Sequence, residues 1–207
     1  MRYILSCIFS FVVLSSIAQK DPQAKAILDQ LGIKMKQSTG ILVNIQLVTK
    51  NSKGKAMGSK SINLKMKGDK YLLNEGKMEI LCDGSSIYNF DGVNSISKSG
   101  VSESDQTLSP QKLLSGNYDK DFTFNLLSQN SSKATIELYP IDKRKNFQKV
   151  TLIIDKLKSA LSNATILDKS NNITDVKVVS INYSSQFTDK LFIFNRAKYP
   201  KNVEIFD

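Results

Sequence analysis

The sequence has 207 residues, with 29 Lys and Arg against 19 Asp and Glu, and a formal net charge of +10. It contains no histidine, which removes the most common general base and metal ligand together with every Ser-His-Asp or Cys-His arrangement. The lysines are spread along the chain and form no dense basic arm, so a solvated lysine-rich surface, or attraction to anionic membranes, is favoured over nucleic-acid binding. We expect no enzyme, metal, cofactor or nucleic-acid partner.

The first eighteen residues have the pattern of a secretory signal peptide. Basic Arg2 precedes an apolar stretch over 3–13 and the small-residue end Ser16-Ile17-Ala18. A membrane anchor is the alternative, but the run is interrupted by serines and is shorter than the roughly 20 residues that a spanning helix needs. We predict a signal peptide over 1–18 and a single mature domain over 19–207. Cys82 is then the last thiol, so no intramolecular disulfide is expected.

The mature region opens with a helix pattern. Asp21-Pro22 supplies an N-cap and a proline at the first helical position, and apolar residues then recur at helical spacing up to Ser38-Thr39-Gly40. From Ile41 the apolar period changes to two, which is typical of strands. A turn at Ser52-Lys53-Gly54 leads to a second alternating segment over 61–67. The pattern predicts an amphipathic helix and then a long antiparallel hairpin.

The rest of the chain reads as a meander with one short helix. Ser109-Pro110 repeats the cap-and-proline pattern and predicts a helix that ends at Gly116. Ten to twelve strands and few helices predict a mainly β fold, in which a curved antiparallel sheet packs around its own helices. Further strands are predicted over 71–73, 78–82, 87–90, 95–97, 122–127, 135–139, 149–154, 164–167, 176–183 and 191–194.

Few residues are candidates for chemistry. The acidic pairs Asp119 with Asp121 and Asp83 with Asp91 lie at predicted turns, where acidic residues are ordinary. Cys82 has no basic residue beside it and falls in phase with a strand, so a structural cysteine is the preferred interpretation over a nucleophile. These residues give no support to catalysis.

Several segments, taken in order, carry a family resemblance. They are 21–28 (DPQAKAIL), 80–90 (ILCDGSSIYNF), 108–114 (LSPQKLL), the strands 136–140 and 150–155, and the ending 192–194 with Tyr199-Pro200. In their order and spacing they resemble the LolA family of periplasmic lipoprotein carriers. The resemblance implies a half-open, incomplete barrel of about eleven strands, whose concave side is covered by a few helices that form a lid over an apolar cavity.

The resemblance also implies a function. It implies a soluble, monomeric periplasmic carrier that binds lipoprotein acyl chains, receives its cargo from an inner-membrane lipoprotein-releasing transporter, and delivers it to an outer-membrane acceptor. Cover is needed because a sixteen-carbon chain left in water costs ~12 kcal/mol at ~0.8 kcal/mol per methylene. The alternative is a lipid-binding or lipoprotein-sensing interaction module of the same fold, although a sensor usually needs a second domain and we expect no length for one after Phe206.

The cavity wall is assigned to inward strand residues and the lid to the two helices. Strand periodicity identifies a face and not a cavity, so packed core is the alternative for each wall residue. Some family members have an arginine that gates the lid near Lys67 or Gly68, and this chain lacks it. The predicted lipid-binding residues are Val43, Ile45, Leu47, Ile62, Leu64, Met66, Leu73, Ile80, Phe90, Ile136, Leu138, Leu152 and Ile154, and the predicted lid residues are Leu28, Leu31, Leu113 and Leu114.

Overall fold

The computed structural model describes residues 20–101, 108–116 and 118–206, so the predicted signal peptide lies outside the described residues. The helices are α1 (Pro22–Lys36), α2 (Pro110–Leu114) and two short 3-10 helices, η1 (Asp189–Phe192) and η2 (Arg196–Lys198). The strands are β1 (Ile41–Lys50), β2 (Ala56–Lys67), β3 (Lys70–Glu75), β4 (Met78–Cys82), β5 (Ser86–Phe90), β6 (Ser95–Gly100), β7 (Phe122–Gln129), β8 (Lys133–Pro140), β9 (Phe147–Asp155), β10 (Ala160–Asp168), β11 (Ile173–Asn182) and β12 (Glu204–Phe206).

The strands form one twelve-stranded sheet in the order β12-β6-β5-β4-β3-β2-β1-β11-β10-β9-β8-β7. Two antiparallel meanders, β1 to β6 and β7 to β11, are joined by the antiparallel pairing of β1 with β11. Among these described strands, only β12 runs parallel to its neighbour, β6. The predicted mainly β fold is therefore confirmed.

Helix α1 is tied to the sheet edge through its N-cap. Asp21 Oδ1 accepts the N–H groups of Gln23 and Ala24 at 2.8 and 3.2 Å. Its backbone N–H donates to the Phe124 carbonyl at 3.1 Å, and its Oδ2 accepts the Leu126 N–H at 3.2 Å. The hydrogen bond from Ala24, with those from Leu126 and Gln23, lowers the pKa of the Asp21 carboxyl. One residue thus starts the helix and pairs with edge strand β7.

Two strand bulges explain exposed apolar residues that break the alternation. On β11 the pairing moves from Asn44 with Ser180 to Ile45 with Val178, so Val179 is left unpaired and its side chain is 61% exposed. Because of this extra residue, Val178 before the bulge and Ile181 after it both pack against the concave core, although they are an odd number of residues apart. A similar shift leaves Leu127 outside the β7–β8 register.

A C-terminal segment, residues 187–199, lies on the convex face and is called the strap below. Phe192 is completely buried against Leu72 and Leu81, and Phe194 stacks on Tyr88 at a centroid distance of 4.2 Å. These contacts cover the outer face of β3 to β5. The prediction of a strand over 191–194 is wrong, because this segment contains the end of η1. Its alternating apolar side chains pack on the face of the sheet and do not reflect pairing with a neighbouring strand. Strand β12 was not predicted.

The strap generates a stability prediction. Replacing Phe192, which is 0% exposed, with alanine leaves a cavity on the convex face, and we expect a loss of about 3–5 kcal/mol in the free energy of unfolding measured with urea. Ile193 is the matched control, since it is 56% exposed and its replacement by alanine is expected to cost less than about 0.5 kcal/mol. Equal losses for the two variants would contradict the described packing.

Candidate functional site

An apolar cavity of about 110 Å³ lies between the concave face of the sheet and the region of α2. Its walls come from five strands, β1, β2, β3, β10 and β11, and its cover comes from α2 and the residue just before its N-cap. Thr174 is the single polar residue among those that line it. The lining residues are Ile45, Leu47, Ile62, Leu73, Leu108, Leu113, Leu114, Leu161, Ile166, Thr174, Val176 and Val178.

The wall consists of cross-strand rows that follow the sheet register. Ile45 on β1 pairs with Ile62 on β2 and with Val178 on β11. Leu47, the next inward residue of β1, pairs with Val176. Opposed residues of paired strands share a face, so each row presents its branched side chains to the cavity together. The cavity therefore lies at the seam where the two meanders join.

Some of the residues predicted to bind lipid line the cavity, and the others lie elsewhere. Of the predicted residues, Ile45, Leu47, Ile62 and Leu73 line the cavity, and the predicted lid residues Leu113 and Leu114 close it. Others lie elsewhere in the concave core: Val43, Leu64, Ile136, Leu138, Leu152 and Ile154 are fully buried in the main apolar cluster, and Ile80 packs against it, partly exposed. Met66 lines a separate cleft of about 220 Å³ beside the end of α1.

Phe90 requires a correction, because the structure places it on the convex face. Its register partner is Glu79, and its ring lies edge-on to Tyr199 of the strap at a centroid distance of 5.2 Å. The Tyr199 hydroxyl donates to Glu79 Oε1 at 2.5 Å. Ile87, an odd number of residues away, is the β5 residue that packs against the concave core. Phe90 is therefore not part of the cavity.

Sequence reasoning missed half of the lining. Ile166, Val176 and Val178 lie in the strands predicted over 164–167 and 176–183, of which no residue was assigned to the cavity. Leu161 lies in the part of β10 that precedes the predicted range. The inward phase of Ile166, Val176 and Val178 is readable from alternation, whereas a register shift just after Leu161 breaks the alternation for that residue. Pairing of β11 with β1 and β10 brings these residues to the site, and that pairing is not visible in the sequence. Leu108 and Thr174 complete the missed set.

The two helices take different roles over the concave face. Leu28 and Leu31 of α1 are fully buried in the main cluster and do not line the cavity. Helix α2 covers it and is held by Ser109 Oγ, which accepts the Lys112 N–H at 3.1 Å, and by the buried Tyr118 hydroxyl, which donates to the Leu113 carbonyl at 2.5 Å. Burial raises the pKa of Tyr118, so the hydroxyl stays a donor.

The cover meets α1 at a contact between two glycines. Gly116, just after α2, has a φ of +67°, and a Cβ placed there would lie 2.6 Å from the Leu28 carbonyl oxygen and closer still to the Gly32 nitrogen. A Cβ at Gly32 would lie 3.3 Å from the Ser115 carbonyl oxygen. The backbones touch only because neither residue has a side chain. This glycine contact fixes the cover against α1.

Lys67, near the position where some members of the family that the sequence resembles have an arginine, contacts the strap. Its Nζ donates to the Phe187 carbonyl at 3.2 Å and lies 3.0 Å from Asp189 Oδ1. Lys67 therefore holds the convex strap and not the cover of the cavity.

The described residues give little support to catalysis or to metal binding. Burial raises the pKa of the Cys82 thiol, which disfavours the thiolate needed by a nucleophile. In the ranges that the structure describes, no three His, Cys, Asp or Glu residues group as metal ligands would. None of the helices in these ranges has the length and apolar character to cross a membrane.

Comparison with known proteins connects this geometry to a family. The family model described as "Outer membrane lipoprotein carrier protein LolA" matches residues 74–195, more than half of the 207 residues. The chain belongs to the LolA family. The matched range includes the wall residues of β10 and β11 and the whole of α2, whereas the wall residues of β1 to β3 precede it. Because the family is one of carriers and not of enzymes, membership confirms the expectation that the chain is not an enzyme. LolA family proteins are periplasmic.

Relatives show how far the likeness extends. An outer-membrane lipoprotein carrier protein of Legionella pneumophila (strain Paris) is 36% identical over 95 residues, which cover 44% of each chain, so the match spans less than half of that relative. A LolA superfamily protein from Nitrosomonas europaea aligns over 83% of this chain and 97% of its own at 15% identity and a TM-score of 0.50. An uncharacterized conserved protein from Thermus thermophilus aligns over 88% and 98% at 13% identity and a TM-score of 0.59. The two structures share the fold.

The glycine contact generates a prediction about the cover. Replacing Gly116 with alanine pushes a methyl group into the α1 backbone, so we expect α2 to be displaced and binding of the neutral apolar dye N-phenyl-1-naphthylamine to increase several-fold by fluorescence titration. Gly54 is the matched control, because it has a φ of +77° with nothing within 4 Å of an added Cβ. Gly54→Ala carries only the backbone cost, of about 1 kcal/mol. Equal dye binding by both variants would show that the contact does not hold the cover.

Proposed function

We propose that the protein is a soluble periplasmic carrier that binds lipoprotein acyl chains in the cavity under α2 and moves them from the inner to the outer membrane. The observation that carries this proposal is the cavity itself: it has a nearly all-apolar lining at the seam of a LolA-family half-barrel, under a helix of only five residues. Apolar lining suits a ligand whose main requirement is to leave water.

The size of the cavity implies that the cover moves. A cavity of roughly 150 Å³ is enough for benzene, and the cavity here is about 110 Å³. An acyl chain of about sixteen carbons is far larger than benzene, so under this proposal the form described is the one without cargo, in which the cavity is contracted. Opening must separate α2 from the strand rows, because the strands are fixed by the sheet. Lid motions of this kind are common in proteins that enclose a ligand.

Release is as important as capture for a carrier. A small cavity that is filled in part by its own leucines gives cargo an apolar surface at the cost of displacing Leu113 and Leu114. When the cargo leaves, these side chains return and recover their burial. The contracted form therefore competes with the ligand, which favours transfer onward to a membrane or acceptor.

The family and the N-terminal sequence support a proposal for the compartment and the partners. We infer that residues 1–18 are a cleaved signal peptide and that residues 19–207 work as a monomer in the periplasm. Within this proposal, an inner-membrane transporter releases the lipoprotein to the carrier, and an outer-membrane acceptor receives it.

A release assay tests the proposal. When the mature protein is added to membranes that hold a triacylated lipoprotein and its releasing transporter, we expect a soluble one-to-one complex in the supernatant after centrifugation. Leu47→Asp places a charge in the wall and should reduce the released lipoprotein at least tenfold, because a carboxylate in an apolar site is costly.

Val48→Asp is the matched control for this assay, since Val48 is the next residue of β1 and lies on the opposite face. It should release lipoprotein as the unchanged protein does. If the lipoprotein stays with the membranes although the carrier is folded, the proposed function fails.

A further inference from the structure

Lys60 belongs to the same cross-strand row as the cavity residues Leu47 and Val176. Leu47 and Val176 are register partners that line the cavity, and the partner of Leu47 on β2 is Lys60. Ile62, two residues further along β2, also lines the cavity. Side chains two residues apart on a strand share a face, so Lys60 lies on the concave face, one step nearer the β1–β2 turn.

Glu75 reaches the same place from β3. Leu73 lines the cavity, and Glu75 follows it by two residues on the same face. Lys60 Nζ lies 2.9 Å from Glu75 Oε1 and 3.2 Å from Oε2. The two side chains are 54% and 24% exposed. Neither residue lines the cavity itself. The ion pair therefore lies on the concave face just beyond the lining residues Leu47, Ile62 and Leu73, and it is partly exposed to solvent.

Lys60 and Glu75 are called the rim below. Their pairing points to a ligand group that is polar but uncharged. An exposed ion pair of this kind contributes little to stability, so the fold does not depend on it. The ammonium of lysine has three N–H donors, and two of them suffice for the two carboxylate oxygens. The third can serve a carbonyl oxygen. Glu75 neutralises Lys60, so this pair has no net charge with which to favour an anionic head group over an uncharged one.

We propose that Lys60 binds the ester or amide carbonyl that joins an acyl chain to its polar head, with the tail under α2 and Glu75 as the residue that positions the ammonium. This inference rests on the proposed function, because it names the part of the cargo that the cavity mouth recognises. Thr174, the polar residue that lines the cavity, supplies a second polar group, a hydroxyl, on the β11 side. The rim thereby distinguishes acyl linkages from plain hydrocarbon of the same length.

Two synthetic lipopeptides test the inference. One has two palmitoyl chains in ester linkage to the glyceryl-cysteine head, and the other has hexadecyl chains in ether linkage, which lack the carbonyl oxygens. Dissociation constants are measured by displacement of N-phenyl-1-naphthylamine from the purified mature protein. We expect the unchanged protein to bind the ester roughly tenfold more tightly than the ether, as for a hydrogen bond from a charged donor.

Variants assign this preference to Lys60. Lys60→Met should weaken ester binding to the level of the ether and leave ether binding unchanged, while Lys60→Arg, which keeps the donors, should retain the preference. Lys177→Met is the matched control, because Lys177 follows the cavity residue Val176 on β11 and lies exposed on the other face. It should behave as the unchanged protein does.

The outcomes separate the inference from the proposed function. Tight binding of both lipopeptides, with no difference between the unchanged protein and Lys60→Met, overturns the role of Lys60 and leaves the carrier function standing. Binding of neither lipopeptide by the unchanged, folded protein overturns the carrier function, and the rim assignment falls with it.

Discussion

The pairing of β1 with β11 is the constraint on which the rest of the structure depends. Every other antiparallel pair joins strands that follow each other in the chain, whereas this pair joins residues more than a hundred positions apart and turns two meanders into one sheet. Its register sets which side chains meet at the seam, and a slip by one residue would turn the wall residues of β11 to solvent. The bulge at Val179 is part of this register, because it keeps both halves of β11 in phase with the concave face. Cavity and fold are therefore products of the same pairing.

The concave face is shared unequally between two helices, and this division places the cavity under only one of them. Helix α1 is long, is anchored at Asp21 to the edge strand, and buries its leucines among the fully enclosed residues of the main cluster. Helix α2 has five residues and meets α1 through the close approach of Gly32 and Gly116. A short helix has little stability of its own, so its position depends on these few contacts. The part of the face under α1 is packed core, and under the proposed function the part under α2 is the one that opens.

Local sequence patterns predicted most of this architecture, and the missing parts have a common physical cause. The alternation of apolar residues located the strands, because one face of each strand is buried. Asp21-Pro22 and Ser109-Pro110 located the starts of the helices, because an N-cap involves only residues that are neighbours in sequence. Alternation cannot say which buried residues face a void, and Ile136 and Ile45 look alike in sequence although only Ile45 lines the cavity. Phe90 was placed on the wrong face, and residues 191–194 were predicted as a strand, because apolar side chains pack on both faces of this part of the sheet. Long-range packing, which no local pattern encodes, decides these cases.

Photocrosslinking of the bound cargo tests the central claim most directly. A triacylated lipopeptide with a diazirine near the end of one acyl chain is bound, irradiated and mapped by mass spectrometry. If the acyl chain lies under α2, crosslinks will fall on the rows around Ile45, Ile62 and Val178 and on Leu113 or Leu114. Crosslinks confined to the convex strap, or to the cleft at Met35 and Met66, would contradict the location of the site.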